Sequence, residues 1–326
     1  MPRFPCLPGV AVTTAALTAL GAAPVPGGEP IVSRPRVVAH FDFAQGRTPE
    51  NIALEPDGSA DLTFALARQI AHVTERGDTR IRATLPAEAN PDTPVAGDDI
   101  VLGIARADDG TLYVTYATGT GKTGVWRVAP DSSRAHQIAK LPENGLPNGI
   151  ALDEHRGVLY VTDSVRGTVW RVPQKGGRAT AWATGAALDP VPTSEGGSGI
   201  GANGIKIHHG AVWVSNSDRG TLLRIPVRRD GSAGPIETRA TELGGIDDFG
   251  FTGRGDTVLA ALLISNQVVL VRPDGTHRVV LTQHEGLSNP TSVAVRHDTV
   301  YVSSAAYFTM KDPNLLLAHL RKHQGR

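Results

Sequence analysis

From Thr48 onward the chain alternates short apolar segments with polar, glycine-containing turns, and the pattern repeats. Asn148-Gly-Ile-Ala-Leu is followed by Val158-Leu-Tyr-Val-Thr-Asp and then by Gly167-Thr-Val-Trp-Arg-Val172. Asn203-Gly-Ile-Lys-Ile, Ala211-Val-Trp-Val-Ser-Asn and Gly220-Thr-Leu-Leu-Arg-Ile225 restate it. An earlier copy runs from Gly103 through Thr111-Leu-Tyr-Val-Thr-Tyr to Val128. Weaker copies begin at Glu50, Asp247 and Thr291. Each copy reads as an apolar strand, a turn, a β-branched and aromatic strand, another turn, a third strand and a more polar fourth.

Four strands every 45–55 residues or so, with no helical period between them, are the mark of a β-propeller. Starts near 50, 101, 148, 203, 247 and 291 predict an all-β, six-bladed β-propeller with four-stranded blades. The last copy is short of outer strands. Pro313–Leu320 is expected to supply one and Arg36–Phe43 the outermost, so that the N-terminal strand latches the last blade. No linker divides residues 35–326, which read as one propeller domain.

Composition agrees with a foldable chain: 40% hydrophobic, 20% charged, with 37 Gly and 23 Pro for turns. Lys plus Arg and Asp plus Glu are both 32, a balance without the basic footprint that nucleic acid requires. Residues 1–25 read as an export signal, with Arg3 before a weakly apolar run from Gly9 to Ala23; a buried N-terminal helix is the alternative. The run is too short to span a bilayer, and no later segment is apolar enough. The expectation is a secreted, extracytoplasmic protein. The sole cysteine, Cys6, precedes the run, so the mature chain has no disulfide, thiolate metal site or cysteine nucleophile.

The entry ends of inner propeller strands crowd around the central axis. Four strand starts carry an oxygen donor in one phase of the repeat: Glu50, Asn148, Asn203 and Asp247. Two carboxylates and two amide oxygens form a hard set whose charge matches a divalent cation, and Ca²⁺ suits it best. Singly, Asn148-Gly149 and Asn203-Gly204 also read as turns, Glu50 as a loop acid and Asp247 as a turn cap.

This ordered set resembles the calcium-dependent six-bladed propeller hydrolases of the senescence-marker-protein, gluconolactonase and luciferin-regenerating-enzyme family, over roughly residues 45–310. The residues carrying the likeness are Pro49-Glu50-Asn51, Pro147-Asn148-Gly149, Ala202-Asn203-Gly204 and Gly245-Ile246-Asp247-Asp248. The resemblance implies one Ca²⁺ in the channel, or another divalent cation, held by Glu50, Asn148, Asn203 and Asp247; Asp248 is the alternative to Asp247. It also implies hydrolysis of lactones, esters or related organophosphates. Asp247 and Glu50 are the candidate catalytic pair, as base or nucleophile. Asn289, Thr291 and His284 are candidates for the substrate wall, His284 as a proton shuttle. The sugar-lactone branch has a basic side chain two residues before the third-blade Asn, where this chain has Leu146.

The alternative is a non-catalytic propeller that binds a small ligand or protein on its rim. A small-molecule substrate is the expected partner, and no protein-partner signal stands out. Gly199-Ile-Gly-Ala-Asn-Gly204 matches a dinucleotide fingerprint but leads into a strand rather than a helix. Trp126, Trp170 and Trp213 read as blade packing, and Asp163 and Asp218 as structural. His208 and His209, adjacent in a strand, are expected on opposite faces.

Overall fold

A computed structural model describes residues 32–321; the expected export signal and Cys6 lie outside the described residues. Each repeat forms one four-stranded antiparallel sheet, and there are six. The first strands of the sheets are Pro49–Leu54, Ile100–Arg106, Pro147–Asp153, Ala202–His208, Ile246–Phe251 and Pro290–Arg296. Each packs beside the first strand of the next sheet, and the sixth returns to the first. They form the inner wall of a ring, a six-bladed propeller. Within the first five blades the strands follow chain order outward. In the sixth, Val32–His40 is the outermost strand, paired antiparallel with Asn314–Leu320. It begins and ends earlier than the hydrophobic pattern suggests, because Phe43–Gln45 is drawn into a 3₁₀ turn capped by Asp42.

The second strand of each blade is buried on both faces, which explains why it reads as a nearly continuous apolar run. Successive side chains serve different neighbours. Leu112, Val114 and Tyr116 pack with Ile70 and Ala83 of blade 1, while Tyr113 packs with Ile150 and Leu159 of blade 3. Every junction between adjacent blades holds such a cluster. The period-two pattern therefore glues blade to blade, and the apolar area removed from water there, at about 25 cal/mol per Å², drives closure of the ring. Fourth strands meet solvent and are polar. Among the described residues no helix is long and apolar enough to cross a membrane.

Candidate metal centre on the propeller axis

Five inner strands share a defect that places the site. Pairing with the second strand slips between Pro49 and Ile52, Val101 and Ile104, Pro147 and Ile150, Ala202 and Ile205, and Ile246 and Phe249. Two inner-strand residues then oppose one neighbour, a β-bulge that re-aims side chains. The first bulge position is Glu50, Leu102, Asn148, Asn203 or Asp247, and the second is Asn51, Gly103, Gly149, Gly204 or Asp248. Asn148-Gly149 and Asn203-Gly204 are thus not turns. Glycine is needed for close approach instead: a Cβ on Gly149 would stand 2.6 Å from Asn203 O, and one on Gly204 2.8 Å from Asp247 O.

The residue opposite each bulge is a hydroxyl in blades 1 to 4, namely Thr63, Thr115, Thr162 and Ser215. Thr63 donates to Leu102 O at 2.5 Å, Thr115 to Asn148 O at 2.5 Å and Ser215 to Asp247 O at 2.5 Å; Thr162 donates to Asn203 O. Blades 1 to 4 each thereby fix the next blade's bulge. Thr291 closes the ring by donating to Pro49 O at 2.8 Å.

Two polar levels result. The first holds Glu50, Asn148, Asn203 and Asp247, all buried. Asn148 Nδ2 donates to Ser164 Oγ at 3.2 Å and Asn203 Nδ2 to Ser217 Oγ at 2.9 Å. Anchoring the amide nitrogens leaves the carbonyl oxygens as the atoms of these amides suited to a cation. Tyr307 Oη donates to Glu50 Oε2 at 2.7 Å. Burial raises the Glu50 carboxyl to about 7, with the Asp248 charge adding to the rise and the Tyr307 hydrogen bond opposing it. Asp247 is raised well above the carboxylate range by burial first, then by the charges of Glu50 and Asp248, against a hydrogen bond from Asn203. Like charges gathered in low dielectric repel until a proton or a cation joins them.

The second level is Asp248. Lys206 Nζ lies 2.7 and 2.6 Å from its two oxygens, Asn51 Nδ2 donates at 3.1 Å and Ser292 Oγ at 2.8 Å. With its oxygens taken up, Asp248 is already ion-paired, and Asp247 is the carboxylate open to a further cation. The donor set fits a hard divalent ion: two acids without ion-pair partners among the described residues, beside two anchored amides.

Of the three residues expected on the substrate wall, two have their polar groups engaged by the fold and the third is exposed in a turn. The Asn289 amide is consumed by Leu263 O, Phe308 N and Thr309 N. The Thr291 hydroxyl is held by Pro49 O and Ser303. His284 is exposed in a capped 3₁₀ turn, Gln283–Glu285. Asn289 nonetheless matters to the site, because it pins the loop that presents Tyr307. Tyr307 and Lys206 escaped sequence reasoning: the loop bearing Tyr307 breaks the repeat, and Lys206 occupies an ordinary strand position. Asp163 and Asp218 have structural work. Asp163 accepts from Leu146 N at 2.9 Å and Trp170 Nε1 at 3.1 Å, and Asp218 accepts from four backbone N–H groups of the 191–200 loop.

One side of the mouth is apolar. Ile100, Leu102 and Leu146 pack with Ala65 and Ala117, and Tyr307 and Ile200 lie against them. Leu102 fills the blade 2 place that corresponds to Glu50 and Asp247. Elsewhere, Glu55, Asp61 and His72 also cluster, but Arg82 and Arg106 already pair with Glu55, and Arg82 with Asp61.

No protein-family model and no curated protein matches the chain. Solved structures do. Regucalcin from Agrobacterium tumefaciens, a calcium-binding protein, is 16% identical over 86% of this chain and 92% of its own, with a TM-score of 0.62. A protein assigned as a gluconolactonase is 14% identical over 88% and 92%, TM-score 0.62. Virginiamycin B lyase from Staphylococcus aureus is 14% identical over 88% and 100%, TM-score 0.56. The chain thus shares its propeller architecture with the regucalcin and gluconolactonase structures. At these identities the likeness establishes the fold, and the fold hosts more than one chemistry.

Proposed function

We propose that this chain is an exported, calcium-dependent hydrolase of lactones, esters or related organophosphates. The observation that carries the reading is the pair of buried carboxylates, Glu50 and Asp247, each raised by burial and by neighbouring acids while Lys206 is committed to Asp248. A divalent cation held by Glu50, Asp247, Asn148 and Asn203 would supply Lewis acidity toward a carbonyl or phosphoryl oxygen. Asp247 would accept a proton from water, or attack directly. Glu50 is held in one orientation by the Tyr307 phenol and shares the negative charge. Asn148 and Asn203, fixed on Ser164 and Ser217, orient the reacting group. The apolar wall of Ile100, Leu102 and Leu146 suits an apolar acyl or alkyl group better than a sugar ring, in keeping with Leu146 where a basic side chain would serve a sugar lactone.

The test is direct. Purified protein should carry about one bound calcium per chain, following the donor count, and chelation should abolish turnover across a panel of aryl esters and lactones. Full activity after chelation removes the reading. Stoichiometric capture of a protein partner without turnover favours the rim-binding alternative. Export is checked by fractionating cells and sequencing the N-terminus of the released chain.

A further inference from the structure

The face opposite the axial acids carries a second cluster that the proposed reaction does not use. The inner strand of blade 4 enters at Ala202 beside the acids and ends at His208 on the far side. Its hairpin turns through His209 and Gly210, both with positive φ, +45° and +70°. This is the geometry of a tight primed turn, in which an Asn-Gly pair is the usual choice. Histidine here bends the chain so that two adjacent imidazoles lie on one side, 3.7 Å apart, instead of on opposite faces of a strand. Asp256, from the corresponding hairpin of blade 5, completes the group: His209 Nδ1 is 3.2 Å and His208 Nε2 3.4 Å from Asp256 Oδ1. Gly255 O adds a fourth donor, 2.9 Å from His208 Nε2.

These spacings have a chemical meaning. Tetrahedral zinc bonds of roughly 2.0–2.2 Å to nitrogen and oxygen imply ligand–ligand edges of roughly 3.4 Å. Both histidine–aspartate separations are already of that size, and all three ligand atoms lie within 4.8 Å of one another. The His208 ring is stacked on Phe251 at 3.8 Å with an interplanar angle of 16°, which fixes its orientation. The His209 side chain is 66% exposed, so rotation of that ring is the movement that would close the remaining edge. Burial holds His208 below its ordinary value and hence neutral, as a metal ligand must be.

The geometry points to a second metal site, formed by His208, His209 and Asp256 with Gly255 O, that takes a zinc-class first-row divalent cation and staples the hairpins of blades 4 and 5 together. Two imidazoles select against calcium, so this site and the axial oxygen set divide hard from borderline ions between the two faces of the ring. With the ion on Nε2, the neutral His208 ring carries its proton on Nδ1 instead, and Gly255 O turns from hydrogen-bond acceptor to ligand.

The test uses tag-free, calcium-saturated protein titrated with Zn²⁺, and separately with Co²⁺ as a spectroscopic probe. Expected are saturable zinc binding, the visible bands of four-coordinate Co²⁺ and a raised melting temperature with zinc. His209→Ala, a change at an exposed side chain, and Asp256→Asn should each weaken binding by roughly tenfold or more and remove the thermal shift. Absence of saturable zinc binding overturns the proposal. So does zinc binding that is equal in the wild type, His209→Ala and Asp256→Asn, which would place the ion elsewhere.

Discussion

The Tyr307 phenol donates to Glu50 Oε2 at 2.7 Å, joining residues 257 apart in the chain and tying the last loop to the first blade's axial acid. Glu50 is buried and Tyr307 half-buried, and the bond favours the ionised carboxylate. Tyr307→Phe keeps the ring and removes the donor. The Glu50 pKa should rise further, so the acid limb of the kcat/KM profile should move to higher pH. Activity at neutral pH should fall by about 10–100-fold, the usual worth of a partner that orients a metal ligand. An unshifted pH profile would deny Tyr307 this role.

Glu50→Gln and Asp247→Asn each remove one member of a repelling pair. Both should abolish calcium binding and turnover. In the calcium-free state at pH 8 both should melt above the wild type, since a buried uncompensated charge is gone. Calorimetry with and without chelator reads both effects.

The raised acids also set how the calcium-free fold responds to pH. A group with a folded pKa above its unfolded value contributes stability that is full below the unfolded pKa and is lost as pH rises through the folded one. Glu50, moving from 4.5 to about 7, should therefore make chelated protein less stable between those values, with Asp247 extending the loss upward. Calcium should reverse this, and its stabilising shift should grow with pH. Melting curves at several pH values, with and without calcium, measure the crossing trend.

Lys206→Met leaves Asp248, whose side chain is 2% exposed, without its cation. Breaking a buried pair in this way costs about 3 kcal/mol or more. Lys206→Met with Asp248→Asn should recover most of that loss, and chemical denaturation of the three variants gives the coupling.

Thr162→Val deletes the hydroxyl that braces the Asn203 carbonyl from the neighbouring blade. The unsatisfied acceptor should cost about 1–3 kcal/mol, and calcium affinity should weaken as Asn203 loses its support. Unchanged affinity would show that the bulge is held without the hydroxyl.

Much of this arrangement is legible in the chain itself. Period-two alternation and the strand-turn text follow from burial on two faces of each blade, so six copies mean six blades. Glu50, Asn148, Asn203 and Asp247 stand in one phase because each occupies the first position of the same bulge. The bulges leave little trace in the alternation, because glycine at the second position resembles a turn residue.

Tertiary structure alone decided the rest. Asp247 and Asp248 are chemically identical neighbours, and only the positions of Lys206, Asn51 and Ser292 show which one is ion-paired. Tyr307 meets Glu50 through a loop outside the repeat, and His208 and His209 share a side because of one left-handed turn. Repeating local forces write the blades into the sequence, whereas partners separated by most of the chain meet only once the ring closes.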